Sequence, residues 1–136
     1  VYRGTTDYHG LVFGLDKGGS CQGMAFRIAP ENLDSELQKV WEREMFAETY
    51  IPTWVCVKTE NGDVSAITFV INTKHEHYVP DLDLEKVAER VVRAEGKCGS
   101  CHDYVQNTVK FLHQLELRDP VLEQLLTLIE YPQISV

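Results

Sequence analysis

The chain has 136 residues, 43% of them hydrophobic, with 13 basic and 21 acidic side chains for a formal net charge of −8 and a pI near 5.0. These values fit one soluble globular domain, and no apolar run approaches the roughly 20 residues that a membrane-spanning helix needs. The acidic balance, unbroken by any Lys/Arg cluster, excludes a nucleic-acid surface and leaves small molecules or proteins as partners.

Strand signals come first. Residues 11–15 and 20–28 are short apolar-rich segments separated by Lys17-Gly18-Gly19, the pattern of an antiparallel pair joined by a glycine turn. Pro30-Glu31-Asn32 then opens a helix carrying Leu33, Leu37, Val40, Trp41 and Met45 at helical spacing, which gives out before Ile51-Pro52. Residues 53–59 and 64–71 form a firmer hairpin through Glu60-Asn61-Gly62-Asp63, with Asn-Gly supplying the positive φ angles of a tight turn. A second helix spans 83–94, with Leu84, Val87, Ala88, Val91 and Val92 on one stripe and Gly96 as its stop. Ser100 with Asp103 resembles a capping box for a third helix, on which Val105, Val109 and Leu112 share a face. Asp119-Pro120 starts a fourth, leucine-rich helix through Ile129. No repeat or linker divides the chain, and strands giving way to helices indicate one α+β domain.

Four cysteines, Cys21, Cys56, Cys98 and Cys101, are too few and too irregular for a disulfide framework, so a reducing compartment is the default. Cys21 and Cys56 read as small core or strand residues. Cys98-Gly99-Ser100-Cys101-His102 matches the spacing of redox and zinc pairs and of covalent haem attachment. A second ligand pair is missing, and His75 and His77 lie in a polar loop, so a structural use is the better reading.

Glu44 is the most informative residue. At about 100° per residue, with Leu33 at zero, Leu37 falls near about 40°, Val40 near about −20°, Trp41 near about 80° and Glu44 near about 20°. Glu44 therefore points down the middle of the apolar stripe, whereas Glu42 faces solvent. Burial there raises a carboxylate's pKa and suits it to act as a general base near neutral pH. The same position also suits a buried ion pair with Arg27 or Arg43, and periodicity leaves both readings open. Tyr50 and Tyr104 are phenols that can hold a polar ligand or sit at a core edge with a satisfied hydroxyl.

Five segments, taken together and in order, resemble the ChaC-type γ-glutamylcyclotransferases: Tyr2-Arg3-Gly4-Thr5, Gly23-Met24-Ala25-Phe26-Arg27, Trp41-Glu42-Arg43-Glu44-Met45, Tyr50-Ile51-Pro52-Thr53-Trp54, and Gly96-x-x-Gly99 followed by Asp103-Tyr104. The resemblance implies a γ-glutamylcyclotransferase-like fold, a small, partly closed mixed β-barrel with flanking helices. It implies a cytoplasmic lyase acting on glutathione, releasing 5-oxoproline and Cys-Gly, with no cofactor and no metal. It places the family's essential acid on Glu44 and its γ-glutamyl-pocket tyrosines on Tyr50 and Tyr104, and it makes the Cys98 to His102 stretch the family's glycine turn before the tyrosine helix.

The chain begins at Val1-Tyr2-Arg3-Gly4 and nowhere contains Tyr-Gly-Ser, the loop whose backbone amides bind substrate in cyclotransferases of this type. Against the family pattern it reads as a domain lacking its N-terminal strand and that loop. The alternative is a non-catalytic module of the same fold that binds a γ-glutamyl ligand or a protein. Nothing in the sequence sets an oligomeric state.

Overall fold

The computed structural model describes residues 3–80 and 82–131. The chain divides into two compact units, Gly14–Pro80 and a second made of Val1–Phe13 with Asp81–Val136.

In the first unit, Pro30–Asn32 forms a single 3-10 turn that leads into α1, Leu33–Met45. Proline at the start of that turn has a preset φ and loses no needed donor. The solvent side of α1 carries the spaced pairs Glu36–Lys39 and Gln38–Glu42, each worth a few tenths of a kcal/mol, about 0.2–0.5. Strands β1 (Tyr50–Thr59) and β2 (Gly62–Ile71) pair antiparallel over their full length, with Tyr50 opposite Ile71 and Thr59 opposite Gly62. Gly62 takes the turn's positive φ of 108°; Asn61 does not share it, contrary to expectation. Thr59 Oγ1 closes the turn by accepting from Asn61 N and donating to Gly62 O.

The expected strand pair over 11–15 and 20–28 does not form. Leu15 alone bridges Val70 in parallel, its carbonyl accepting from Ile71 N at 2.8 Å. Residues 21–27 are exposed, Phe26 at 81%. Leu11 and Phe13 are claimed elsewhere, by the core of the second unit. A single ladder contact is too little to order the rest of the segment as a strand.

The second unit is helical. Helix α2 (Leu84–Arg93) begins at Asp83, whose carboxylate accepts from Lys86 N at 2.9 Å. Helix α3 (Cys101–Gln114) begins at Ser100, whose hydroxyl accepts from Asp103 N at 3.1 Å. Helix α4 (Pro120–Glu130) begins at Asp119, which accepts from Val121 N and Leu122 N. Each cap satisfies donors that a helix start leaves orphaned. Gly96 is not the stop for α2. The helix ends at Ala94 in extended backbone, and Glu95–Gly96 pairs with Gly99–Ser100 as the two-residue strands β3 and β4. Of the two glycines around that turn, Gly99 is the one at positive φ, 100°. Helix α3 ends on Glu116 at φ 58°, with Leu117 N bonded to Leu112 O and Glu116 N to His113 O, a Schellman closure using glutamate where glycine is usual.

Ala88, Val91, Ala94, Cys101, Val105, Leu125 and Ile129 make one buried cluster between the helices, flanked by Leu11, Phe13 and Tyr104. In the first unit Val70 is the one buried residue among those described. No helix among the described residues is long and apolar enough to cross a membrane.

Candidate active site

Glu44 lies in the last turn of α1, three residues after Trp41 on the same side of the helix. Trp41 meets Phe69 edge-on, ring centroids 6.1 Å apart. The hairpin register puts Phe69 on the same sheet face as Tyr50, Pro52 and Ile71. Helix α1 thus packs on the face from which Tyr50 projects, and Glu44 and Tyr50 lie on one side of the hairpin. Gly14 runs against this face. A Cβ there would sit 2.6 Å from Ile71 Cγ1 and 3.5 Å from Tyr50 Cε1, so glycine allows the close approach.

Glu44 is half-buried rather than buried, its side chain 24% exposed. The stripe around it is open too: no residue of α1 is buried, and Leu33 and Trp41 are 45% and 42% exposed. Periodicity correctly groups these side chains on one face, but a face is buried only where something in the fold covers it. Of the two ion-pair partners expected, Arg43 is the one engaged, its Nε donating to Glu44 Oε1 at 2.8 Å. The Arg43 side chain is 73% exposed, so this is a surface pair rather than a buried one. Oε2 of Glu44 has no protein partner among the described residues.

Tyr104 belongs to the helical unit, in the first turn of α3. Its hydroxyl accepts from Phe13 N at 3.1 Å, and its ring stacks on Phe13 with centroids 5.2 Å apart. The Arg3 guanidinium lies 5.4 Å from the ring centroid, while Arg3 Nη1 donates to Ser100 O at 3.3 Å. With one lone pair taken by Phe13 N, the phenol's proton remains available to donate. Arg3 and Phe13 were not legible as neighbours of Tyr104, because they lie about ninety or more residues away in the chain and no local pattern encodes the contact. Tyr2, which opens the Tyr2-Arg3-Gly4-Thr5 motif, lies outside the described residues.

The Cys-x-x-Cys motif is split by the fold. Cys98 is exposed in the turn, whereas Cys101 is fully buried at 0%. The Cys101 thiol donates to Leu11 O at 3.1 Å and accepts from Leu11 N at 3.4 Å, pinning the N-terminal segment to α3. Burial pushes this thiol's pKa up, partly offset by the Leu11 hydrogen bond and the charge of Arg3. Cys21 and Cys56 are exposed, contrary to the core reading; Cys56 does lie in β1, opposite Ser65. Among the described residues no group of three or more Cys, His, Asp and Glu side chains is placed to hold a metal ion.

Comparison with known proteins adds to this geometry. The family described as ChaC-like protein matches residues 1–131. The chain is 33% identical over 125 residues to the glutathione-specific γ-glutamylcyclotransferase of Escherichia coli (strain K12), covering 91% of this chain and 54% of that protein. It is 26% identical over 127 residues to γ-glutamylcyclotransferase 2-3 of Arabidopsis thaliana, covering 87% of this chain and 64% of that protein. The chain therefore spans between half and two thirds of the length of these relatives.

Proposed function

The chain belongs to the ChaC-like protein family, and from that premise we propose that it serves glutathione degradation by cyclising the γ-glutamyl group and releasing 5-oxoproline and Cys-Gly. The reading takes the chain as one domain of the γ-glutamylcyclotransferase-like fold, a partly closed β-barrel with flanking helices, working in the cytoplasm. Glu44 is the general acid/base, and Tyr50 and Tyr104 hold substrate. The observation that carries it is Glu44 itself, a carboxylate on the sheet side of α1 with one oxygen engaged by Arg43 and the other without a partner among the described residues.

The chemistry needs little beyond such a group. The substrate's α-amino nitrogen is largely protonated at neutral pH, with an ordinary pKa of about 7.7–8.0 for such amines. Glu44 takes one proton from it, and the freed lone pair attacks the γ-carbonyl carbon, forming the lactam C–N bond. The ring nitrogen of the tetrahedral intermediate gives up a second proton to water as the bond to the cysteinyl nitrogen breaks, and Glu44 returns the first proton to that leaving nitrogen. Holding the γ-glutamyl chain curled supplies much of the rate, since reacting atoms must approach within about 3–3.5 Å. A half-buried carboxylate fits this duty, because it must exchange protons with substrate without being locked in a saturated network. Tyr104, with one lone pair taken by Phe13 N and its proton available, is suited to donate to a substrate oxygen.

The test is to incubate the full-length protein with glutathione and measure 5-oxoproline and Cys-Gly. Glu44→Gln, nearly isosteric and exposed enough to fold normally, is expected to lower kcat by about 10²- to 10⁴-fold. Undiminished turnover in Glu44→Gln overturns the assignment, and binding of glutathione without turnover by the parent overturns the enzymatic reading.

A further inference from the structure

The helical unit carries an open cavity of about 450 Å³ lined by Thr6, Asp7, Tyr8, His9, Leu82, Lys86, Glu89 and Arg90. Its volume lies within the about 300–1,000 Å³ of small-molecule sites. One wall is α2, where Lys86 and Arg90 are four residues apart and so project on one side, with Glu89 beside them. The other is the loop between Gly4 and Gly10, whose shape is set by the backbone. A Cβ on Gly4 would collide with Gly10 N and Tyr8 O, and one on Gly10 with Arg3 O. Thr5 N donates to Tyr8 O at 2.8 Å, and Tyr8 N donates to Thr5 Oγ1 at 2.9 Å. The wall is therefore built in advance of any ligand.

Most of the charged side chains along this cavity have no partner among the described residues. The acids Asp7 and Glu89 share it with the cations Lys86 and Arg90 and with His9, yet no ion pair joins any of these five to another. Lys86 pairs with Asp83, outside the cavity, at 3.3 Å. Asp7, Glu89 and Arg90 make no side-chain hydrogen bond or ion pair among the described residues, although Arg90 is half-buried. A carboxylate placed on Arg90 would supply the charge-assisted hydrogen bonds that no acceptor among the described residues makes to it. A simple anion would meet Asp7 and Glu89 as well, and a simple cation would meet Lys86 and Arg90. A ligand carrying both signs satisfies both sets.

We propose that this cavity is a second binding site, separate from the residues assigned to cyclisation, for a small zwitterion of the amino-acid or dipeptide class. The ligand's carboxylate lies on Arg90 and Lys86 and its ammonium group on Asp7 and Glu89. The loop and α2 both belong to the helical unit, so the site is complete within it.

The test is a titration of the whole chain with glycylglycine, followed by backbone amide NMR shifts at residues 6–9 and 86–90. Two blocked analogues, N-acetylglycine and glycinamide, each keep one charge. Saturable shifts confined to those residues are expected with glycylglycine, with each analogue at least tenfold weaker. Arg90→Gln and Asp7→Asn are expected to weaken glycylglycine at least tenfold while their unfolding midpoints stay at the parent value, and Glu44→Gln is expected to bind it unchanged. No saturable shift, equal binding of N-acetylglycine, or loss of binding in Glu44→Gln overturns the proposal. The two folded charge variants on opposite walls make the result independent of any single substitution.

Discussion

Replacing Cys101 by alanine perturbs the most enclosed side chain of the helical unit, and its cost follows from the contacts. The side chain is 0% exposed, and the sulfur joins both the N–H and the carbonyl of Leu11. Losing the buried sulfur costs roughly 1 kcal/mol, comparable with the ~0.8 kcal/mol of a buried methylene. Leaving the two Leu11 groups without their partner adds about 1–2 kcal/mol, toward the lower end of the usual range because Leu11 is half-buried and water reaches it in part. The sum is about 2–3 kcal/mol. Urea unfolding followed by far-UV circular dichroism measures it: at slopes of about 1–3 kcal/mol/M the midpoint drops by about 0.7–3 M. Cys98→Ala, at an exposed turn position, is the control and is expected to stay within ~0.5 kcal/mol of the parent. Equal costs at the two positions, or a Cys101→Ala protein as stable as the parent, would refute the reasoning that burial and the Leu11 contacts set the energetics of this motif.

A thiol-specific disulfide reagent is expected to label Cys21, Cys56 and Cys98 rapidly in the native protein and Cys101 only after unfolding, because Cys101 is buried and its pKa is raised by desolvation. Four fast thiols in the native state would contradict this. The Glu123 carboxyl is held below its ordinary value by hydrogen bonds from His113 and then Arg118, so folding gains from its ionised form above the unfolded pKa, near 4.5, and loses that gain as pH falls through the lower folded value. Urea midpoints of Glu123→Gln should therefore lie below the parent's at neutral pH and converge with them in acid, and a gap unchanged at low pH would count against it. Gly99→Ala is expected to cost about 1–2 kcal/mol, since Gly99 has φ 100° and its new Cβ would lie 3.0 Å from Arg3 Nη1. Gly19→Ala, with open space around it, is expected to be neutral in the same unfolding assay.

What the sequence determined by itself was local. Asp83, Ser100 and Asp119 announce helix starts because a cap is a bargain between a side chain and amides two or three residues away. The long hairpin was legible for the same reason, as two β-rich runs meeting near Asn61-Gly62, but its register was not: the chain turns at Glu60-Asn61, and Gly62, at positive φ, already pairs with Thr59. The candidate acid was legible as a direction, since Glu44 shares the side of α1 that carries Trp41, and family resemblance independently pointed to the same residue.

The tertiary structure decided everything that depends on what lies opposite. Residues 11–15 and 20–28 look strand-like, but a strand exists only where another edge pairs with it, and only Leu15 finds one. A helical wheel likewise shows that Glu44 lies among apolar residues without showing that the face is open enough to leave it 24% exposed, with Arg43 as its partner. Cys98 and Cys101 are spaced as a pair in sequence, yet one ends in solvent and the other against Leu11, ninety residues away, because the turn before α3 separates them. Spacing along the chain fixes which way a side chain points relative to its neighbours. Whether it meets solvent, a partner or a substrate is settled by segments far away in sequence, through contacts that no local pattern records.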